Sequence, residues 1–390
     1  MTIKMNSYSA FIKKMKKEVF QSKNSLFQSL LASSKYSFNF KDIKKFKKFN
    51  TVIVIGMGGS ILGTKAIYSF LKHKIKKKFI FIDNLDQGFL NKIKKKYKLK
   101  NSLFLIISKS GNTSETIINA AYFKPFLKKS NVIIISENKN NILSNFAKKK
   151  NITFIKHNQF IGGRYSIFSE VGMLPSYLMG LNPINFKKNL SKFLNNHQTL
   201  SKSIKEILNI KIKRFKTIIF FNYVPELNDF LFWCQQLLAE SLGKKNKGFT
   251  PVVSMAPKDH HSLLQLYLDG PKDKFFYIFS SESKNKLKLN CNFFGKNLSY
   301  LNKKYYEDVK ISQKNAFRNI LKEKKIPYRE MVIKKFDEDT LGRLFLLFIF
   351  ETVAIGKMMN INPFDQPAVE DVKVLTKKFL ISKKSSKKNF

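Results

Sequence analysis

The sequence has little cysteine and no long apolar run. Two cysteines, Cys234 and Cys291, cannot form a disulfide framework and lack the Cys-x-x-Cys spacing of a metal site. We therefore expect a protein of the reducing cytoplasm that uses no metal. No stretch of about 18 or more apolar residues occurs, so we expect no membrane-spanning segment. The first residues lack the apolar core and small-residue cleavage site of a secretory signal, and we expect no such leader.

Acidic residues are scarce beside basic ones. The chain has 73 lysines and arginines against 26 aspartates and glutamates, a net charge of +47. Such an excess usually indicates nucleic acid or an anionic membrane as partner. Here the lysines are spread along the whole chain, arginine is scarce and no nucleic-acid-reading motif occurs. We expect a solvated lysine surface that attracts anionic substrates. The alternative is a nucleic-acid-associated protein, whose affinity would fall steeply with salt.

The apolar runs predict two α/β domains. The chain has 390 residues, of which 43% are hydrophobic, enough for one large or two ordinary domains. Strand candidates alternate with helical stretches, which is the pattern of a parallel sheet covered on both faces. In the first half they are residues 51–55, 79–82, 103–107, 132–135 and 152–155. The second half repeats the pattern with residues 216–223, 249–253, 275–279 and 328–333.

The expected organisation has four parts. They are an N-terminal helical segment (1–50), a first domain (51–185), a second domain (186–360) and a C-terminal turn and helix (361–390). Residues 7–34 are basic and amphipathic, as organelle presequences are, but they lack arginine, and we expect a packed first helix there. A polar helix over 186–212 should bridge the two domains. Ligands of open α/β sheets bind beyond the carboxyl ends of the strands, so the cleft should lie between the domains.

Two strand-to-helix turns indicate a phosphate site. Residues 108–116 (SKSGNTSET) follow a buried strand and open a helix, so hydroxyls, backbone amides and the positive helix end converge. Ser108, Ser110 and Thr113 supply neutral donors. Simple helix capping is the alternative for one such turn. The turn at residues 56–60 (GMGGS) repeats the design, and Gly58 and Gly59 let the backbone approach a ligand before Ser60.

A dinucleotide site is an alternative reading of the glycine turn. Asp83, at the end of the next strand, could bind a ribose. However, Ile61 stands where the third glycine of Gly-x-Gly-x-x-Gly belongs, so nicotinamide binding is a minor alternative. No Gly-x-x-x-x-Gly-Lys-Ser/Thr motif for a nucleotide triphosphate occurs.

Four stretches place polar residues in apolar surroundings. Arg164 follows two glycines and could hold a planar cation against an oxyanion. Gln236 and Glu240 share one helix face, and the neighbouring apolar residues 237–239 should disfavour ionised Glu240, making it a base near neutral pH. In Asp-His-His-Ser, one of His260 and His261 is a candidate proton donor or acceptor, since adjacent histidines are poor joint metal ligands. Lys373 lies a few residues into the last helix and could reach back to a cleft. The alternatives are a solvated arginine, an exposed carboxylate and a surface lysine.

Six motifs, in this order, resemble the glucose-6-phosphate isomerase family in its compact bacterial form. They are residues 56–60 (GMGGS), 108–113 (SKSGNT), 162–166 (GGRYS), 236–243 (QLLAESLG), 261–266 (HSLLQL) and 362–367 (NPFDQP). The resemblance implies two SIS-type (flavodoxin-like) αβα sandwich domains with parallel-rich sheets. It also implies a homodimer and a cofactor-free aldose–ketose isomerisation of glucose 6-phosphate and fructose 6-phosphate through a cis-enediolate, in glycolysis and gluconeogenesis.

The resemblance also implies a role for each matching residue. Glu240 is the catalytic base and acid, and Arg164 stabilises the enediolate. His261 and Lys373 open the sugar ring, with His261 supplied by the other subunit. The remaining substrate and phosphate contacts are Gly58, Gly59, Ser60, Ser108, Ser110, Thr113, Gln236 and Gln366.

Two departures and two rival functions stay open. Ala368 and Val372 stand where relatives often have glycine, and the larger side chains could shift the last helix. The motifs also fit a bifunctional phosphoglucose/phosphomannose isomerase. A non-catalytic sugar-phosphate sensor would keep the hydroxyls of residues 108–113 but would not need Glu240, His261 and Lys373.

Overall fold

The computed structural model describes residues 28–31, 34–195, 206–207, 215–282, 287–291 and 294–386. The first sheet has five parallel strands in the order β2-β1-β3-β4-β5. The strands are β1 (Thr51–Ile55), β2 (Lys78–Ile82), β3 (Ser102–Ile107), β4 (Val132–Glu137) and β5 (Thr153–His157). The helices before, between and after them are α1 (Phe40–Lys44), α2 (Leu62–Phe70), α3 (Gln87–Lys96), α4 (Ser114–Tyr122), α5 (Ile142–Lys150), α6 (Glu170–Leu178) and α7 (Leu190–Asn195).

The second sheet has four parallel strands in the order β7-β6-β8-β9. The strands are β6 (Thr217–Asn222), β7 (Thr250–Met255), β8 (Lys274–Ser281) and β9 (Tyr328–Ile333). The helices of this half are α8 (Asn228–Leu242), α9 (Leu264–Asp269), α10 (Tyr306–Glu323), α11 (Glu338–Met358) and α12 (Glu370–Ser386). Short 3-10 turns join several elements, and those that carry site residues are Gly58–Ser60, Gly163–Phe168, Lys258–His261 and Pro367–Val369.

Both faces of each sheet are buried, because successive strand residues point to opposite sides. In β1, Val52 and Val54 enter the large core between the two sheets, while Ile53 and Ile55 enter an outer core. Helices α3, α4 and α5 cover that outer core, and α9 and α10 cover the outer core of the second sheet. Helices α2, α6, α8 and α11 fill the large core between the sheets.

The predicted fold class is confirmed, and all nine predicted strands occur within two residues of their expected ends. The boundaries between domains stay a prediction. Of the polar helix expected over 186–212, the structure describes α7, while residues 196–205 and 208–214 lie outside the described part. Most of the packed helix expected within residues 7–34 also lies outside it. Among the described residues, no helix is long and apolar enough to cross a membrane.

Lys187, a buried lysine between α6 and α7, contacts the segment that precedes β1. Lys187 is 2% exposed. Its ammonium donates to the Ser34 hydroxyl at 2.8 Å and lies 4.4 Å from the centre of the Tyr36 ring. Burial lowers the pKa of Lys187 from 10.5 to about 7, with Glu170 opposing the shift. The folded state therefore disfavours the charged amine.

We expect stability to rise with pH because of this lysine. Between about pH 7 and 10.5 the unfolded chain binds a proton at Lys187 that the folded chain does not, so the free energy of unfolding increases over this range. Lys187→Met should stabilise the protein at pH 7 and flatten this rise, which denaturant titrations at several pH values would measure. Lys188→Met, at an exposed neighbour, is the control. An equal effect of both substitutions would contradict the assignment.

Candidate active site

Arg164 lies in the turn after β5 and reaches into the second half of the chain. Its side chain is 2% exposed. All five of its N–H groups donate hydrogen bonds within the protein. Nε donates to Ser241 at 2.8 Å, and Nη1 donates to Gln366 at 2.8 Å and to Glu240 at 3.3 Å. Nη2 donates to the carbonyls of Pro363 at 2.7 Å and Asp365 at 3.0 Å. Arg164 is therefore a fixed buried cation and not a solvated surface charge.

Glu240 stands on the last turns of α8, where this helix packs against α2 of the first unit. The Gln236 amide donates to its second carboxylate oxygen at 2.9 Å, as expected from their shared helix face. The expectation of an apolar environment for Glu240 is wrong. Leu237 and Leu238 are buried in the core, whereas Glu240 is 29% exposed and has polar partners.

Tyr165 and Ser241 are the chain neighbours of Arg164 and Glu240, and they help to hold Arg164 in place. The sequence analysis assigned neither of them a role. The Tyr165 hydroxyl donates to the Pro363 carbonyl at 2.9 Å and lies 2.8 Å from the Ser241 hydroxyl. Burial raises the pKa of Tyr165, although Arg164 opposes the shift, so the phenol stays a donor. The one signal in the sequence was that both residues adjoin predicted site residues.

The glycine turn at residues 56–60 contacts both the turn that carries Arg164 and the end of β3, which precedes the turn at residues 108–113. A Cβ on Gly59 would lie 2.1 Å from the carbonyl carbon of Gly163, so the two backbones touch. Gly58, at φ +52°, faces the Gln236 amide, and a Cβ there would come within 2.7 Å of its nitrogen. Gly56 lies against the carbonyl of Ile107, the last residue of β3. One loop therefore contacts both halves of the candidate site, and Ser60 ends its 3-10 turn, two residues before α2 begins.

Residues 108–113 form the expected hydroxyl-lined turn at the start of α4. The Ser108 hydroxyl lies 2.8 Å from that of Thr113 and accepts from the Gly111 amide at 3.2 Å. Ser110 is exposed, and its hydroxyl is 3.5 Å from that of Thr113. Thr113 is the N-cap residue of α4, but its side chain caps no helix amide. The first N–H groups of α4 thus remain without a side-chain cap, as an anion site requires.

Lys109 is a further candidate residue of the phosphate turn at 108–113, and the sequence analysis assigned it no role. It lies between the two serines of the turn, 3.8 Å from Glu137. Burial lowers its pKa, with Lys139 and Arg164 acting in the same direction and Glu137 opposing. A lysine among 73 lysines and arginines gives no signal of its own in the sequence.

His261 is not in contact with Glu240 within the protomer. It ends the 3-10 turn after β7, its side chain is exposed, and it forms no hydrogen bond with the described residues. The adjacent His260 points inward, where the Tyr223 hydroxyl lies 2.7 Å from its Nε2. As expected, the two histidines point in different directions.

The structure also does not bring Lys373 to Glu240. Lys373 lies on α12 as predicted, but its ammonium pairs at 2.6 Å with Glu370, one turn earlier, and the side chain is 64% exposed. Gln366 does reach the cluster, through Arg164. Glu240 itself borders two clefts. One, of about 740 Å³, runs along the turn at 361–369, and the other, of about 480 Å³, is lined by Gln236 and Lys65.

The two parallel α/β units give this protein the fold class of paired SIS-type αβα domains. A hydroxyl-lined helix start lies beyond the first sheet, and a carboxylate–guanidinium pair lies between the units. A crystal structure of a hypothetical protein from Thermus thermophilus matches the fold with a TM-score of 0.85, at 23% identity over 96% of both chains. Tagatose-6-phosphate ketose/aldose isomerase from Escherichia coli matches with a TM-score of 0.53, at 13% identity over 85% of this chain and 88% of the other. At these identities the likeness concerns the fold alone.

Sequence comparison identifies the family within this class. The family model described as phosphoglucose isomerase matches residues 17–390. Glucose-6-phosphate isomerase of Methanocaldococcus jannaschii is 35% identical over 353 residues, covering 87% of this chain and 86% of the relative. The Campylobacter jejuni protein of the same name is 32% identical over 367 residues, covering 89% and 88%. The chain therefore belongs to the phosphoglucose isomerase family.

The dinucleotide alternative gains no support from the structure. Asp83, which a ribose would need, pairs with Lys65 at 2.8 Å.

Gly59→Ala should destabilise the protein, because its new methyl group would overlap the backbone of Gly163. Overpacking of this kind costs about 1–3 kcal/mol, which thermal unfolding would detect. Gly162→Ala is the matched control, since its Cβ would meet only the Tyr165 ring, at an ordinary 3.5 Å. Equal unfolding midpoints for wild type and Gly59→Ala would refute the close approach of the two loops.

Proposed function

We propose that the chain interconverts glucose 6-phosphate and fructose 6-phosphate, an aldose–ketose isomerisation of glycolysis and gluconeogenesis. Family membership supports the activity. The observation that carries the mechanism is the Arg164–Glu240 pair, at 3.3 Å, with Gln236 and Gln366 beside it. Proton transfer next to a carbonyl needs a carboxylate base and a cation near the developing oxyanion.

Glu240 is the group that moves the proton. In the open-chain aldose it takes the proton from C2, the C2–H electrons form the C1–C2 double bond, and the carbonyl oxygen at C1 gains the negative charge. Return of the proton to C1, with transfer of the hydroxyl proton from O2 to O1, gives the ketose. A carboxylate with one exposed edge can reach the substrate while Gln236 fixes its other oxygen.

Arg164 must change partners to stabilise the cis-enediolate. All five of its N–H groups are already donated to protein acceptors, so an enediolate oxygen has to replace one of them. The longest of the five bonds is that to Glu240, at 3.3 Å. Its replacement by the substrate would leave the Glu240 carboxylate with one fewer donor, so that it faces the substrate.

The substrate contacts follow from the same geometry. Oε1 of Gln236 is buried and has no hydrogen-bond partner among the described residues, so it is available to accept from a sugar hydroxyl. The phosphate would bind the uncapped start of α4 through Ser108, Ser110 and Thr113, with the glycine turn (Gly58, Gly59 and Ser60) beside it.

Ring opening is assigned to His261 and Lys373. His261 is exposed and its side chain has no hydrogen-bond partner among the described residues, which supports its supply to the site of a second copy and hence a homodimer. Lys373 pairs with Glu370 and is exposed, so its participation requires its ammonium to leave that pair.

The relatives reported above are named for the isomerase, and they give no support to the non-catalytic regulator or to the bifunctional isomerase. The cytoplasmic location remains a prediction from the cysteine content.

Glu240→Gln should lower kcat at least about 10²-fold, because an amide cannot accept the C2 proton, while substrate binding persists. The measurement is conversion of fructose 6-phosphate to glucose 6-phosphate by the purified protein. Glu226→Gln, at an exposed position just before α8, is the matched control. Near-normal turnover of Glu240→Gln would disprove the assignment.

Two inactive variants should restore activity when mixed. If His261 serves the partner's site, then a heterodimer of Glu240→Gln and His261→Ala has one intact site. Random subunit exchange makes half the dimers heterodimeric, so about one quarter of wild-type activity should return. No recovery, despite exchange verified by mass, would mean that His261 acts within its own subunit.

A further inference from the structure

The turn that carries His261 is anchored on both sides of this residue. On the inner side, His260 stacks on Phe221, with ring centres 5.5 Å apart and planes 23° apart. Burial raises the pKa of Tyr223, so its hydroxyl stays protonated and can donate to His260 Nε2 at 2.7 Å. Burial, together with the neighbouring His261, lowers the pKa of His260, which favours its neutral form.

Asp259 is the second anchor, and it is 8% exposed. One carboxylate oxygen accepts from the Ser254 hydroxyl at 2.8 Å and from the Met255 amide at 2.7 Å, both at the end of β7. The other oxygen accepts from the Ser262 hydroxyl at 3.0 Å. The carboxylate therefore joins the end of the strand to the residue that directly follows His261.

The ionised form of Asp259 is well accommodated. Burial alone would raise its pKa, but the hydrogen bonds from Ser254, Met255 and Ser262 outweigh this and hold the pKa below its usual range. In addition, the Asp259 carbonyl accepts the amide of Leu263 at 3.0 Å, which closes the turn around His261. The exposed His261 side chain has no hydrogen-bond partner among the described residues, so its direction depends on these anchors.

We propose that Asp259 is a positioning residue of the isomerase: its carboxylate holds the turn so that His261 projects outward into the site of the partner subunit. The inference rests on the proposed function, because it concerns the ring-opening step assigned to His261. Asp259 itself touches neither substrate nor reacting atoms.

Three substitutions separate geometry from charge. Asp259→Ala removes all three side-chain bonds. Asp259→Asn can keep them, with its oxygen toward Ser254 and Met255 and its amide donating to the Ser262 hydroxyl, but it removes the charge. Asp269→Ala changes an exposed carboxylate at the end of α9, on the same segment, and is the matched control.

Two rates measure whether the turn still holds His261 in position. One is kcat for isomerisation, and the other is the exchange between the two ring anomers of glucose 6-phosphate, followed by NMR. Anomer exchange requires ring opening but no proton transfer from C2, so Glu240→Gln should retain it and His261→Ala should lose it. Because a displacement of about 1 Å can cost on the order of 10²-fold, Asp259→Ala should lose both rates to about that extent. Asp259→Asn should retain most of both rates, and Asp269→Ala should match wild type.

Mixing two variants distinguishes a misplaced turn from a general loss of folding, because a subunit that does not fold cannot restore activity to its partner. Asp259→Ala mixed with Glu240→Gln should recover about one quarter of wild-type activity, since the heterodimer contains one site with intact Glu240 and an intact turn. If Asp259→Ala does not fold, Ser262→Ala, which removes one bond only, should show a smaller loss of the same two rates.

Each contrary outcome has its own meaning. Anomer exchange by Asp259→Ala within about twofold of wild type would overturn the inference. Equal losses in Asp259→Asn and Asp259→Ala would also overturn it, because charge and not position would then be responsible. Full anomer exchange in His261→Ala would overturn both the inference and the role of His261. A wild-type protein that isomerises neither sugar phosphate would contradict the proposed function itself.

Discussion

The arrangement of the site depends on the burial of one guanidinium group. A buried cation is tolerated only when its donors are satisfied, and Arg164 has five of them to satisfy. It does so with acceptors from two distant parts of the chain, the end of α8 and the turn at 363–366. Both must therefore pack against the turn after β5 for the fold to hold this charge. The resulting convergence brings Glu240 and Gln366 to one point between the two sheets.

The same constraint explains the chemistry of the site. A guanidinium already satisfied by the protein is fixed in position before any substrate arrives, which is the condition for electrostatic stabilisation of a transition state. Its longest donation, at 3.3 Å, goes to Glu240, the residue we propose as the base. In the proposed mechanism, substrate binding and the release of Glu240 are one exchange of hydrogen-bond partners.

The strands and the hydroxyl-lined turn could be predicted from the sequence, because both are local features of the chain. The strands are unbroken apolar runs such as residues 103–107, and the hydroxyl-lined turn follows one of them directly. The partners of Arg164 could not be predicted from local pattern, since they lie 76 to 202 residues away. Ser241 and Tyr165 went unassigned for this reason. The apolar neighbours of Glu240 misled because their side chains enter the core, while the Glu240 carboxylate meets polar partners. Lys373 lies on the predicted helix, and its pair with Glu370 is an ordinary i,i+3 helix pair that the sequence analysis did not consider.

The most direct test of the account is a crystal structure with a sugar-phosphate hydroxamate, whose planar oxygens mimic the cis-enediolate. The account predicts a hydroxamate oxygen within about 3 Å of Arg164 Nη1, in the place now taken by Glu240. The carboxylate should then lie beside the carbons that exchange the proton, with the phosphate at residues 108–113. An analogue bound elsewhere, with Arg164 still donating to all five of its protein acceptors, would contradict the account.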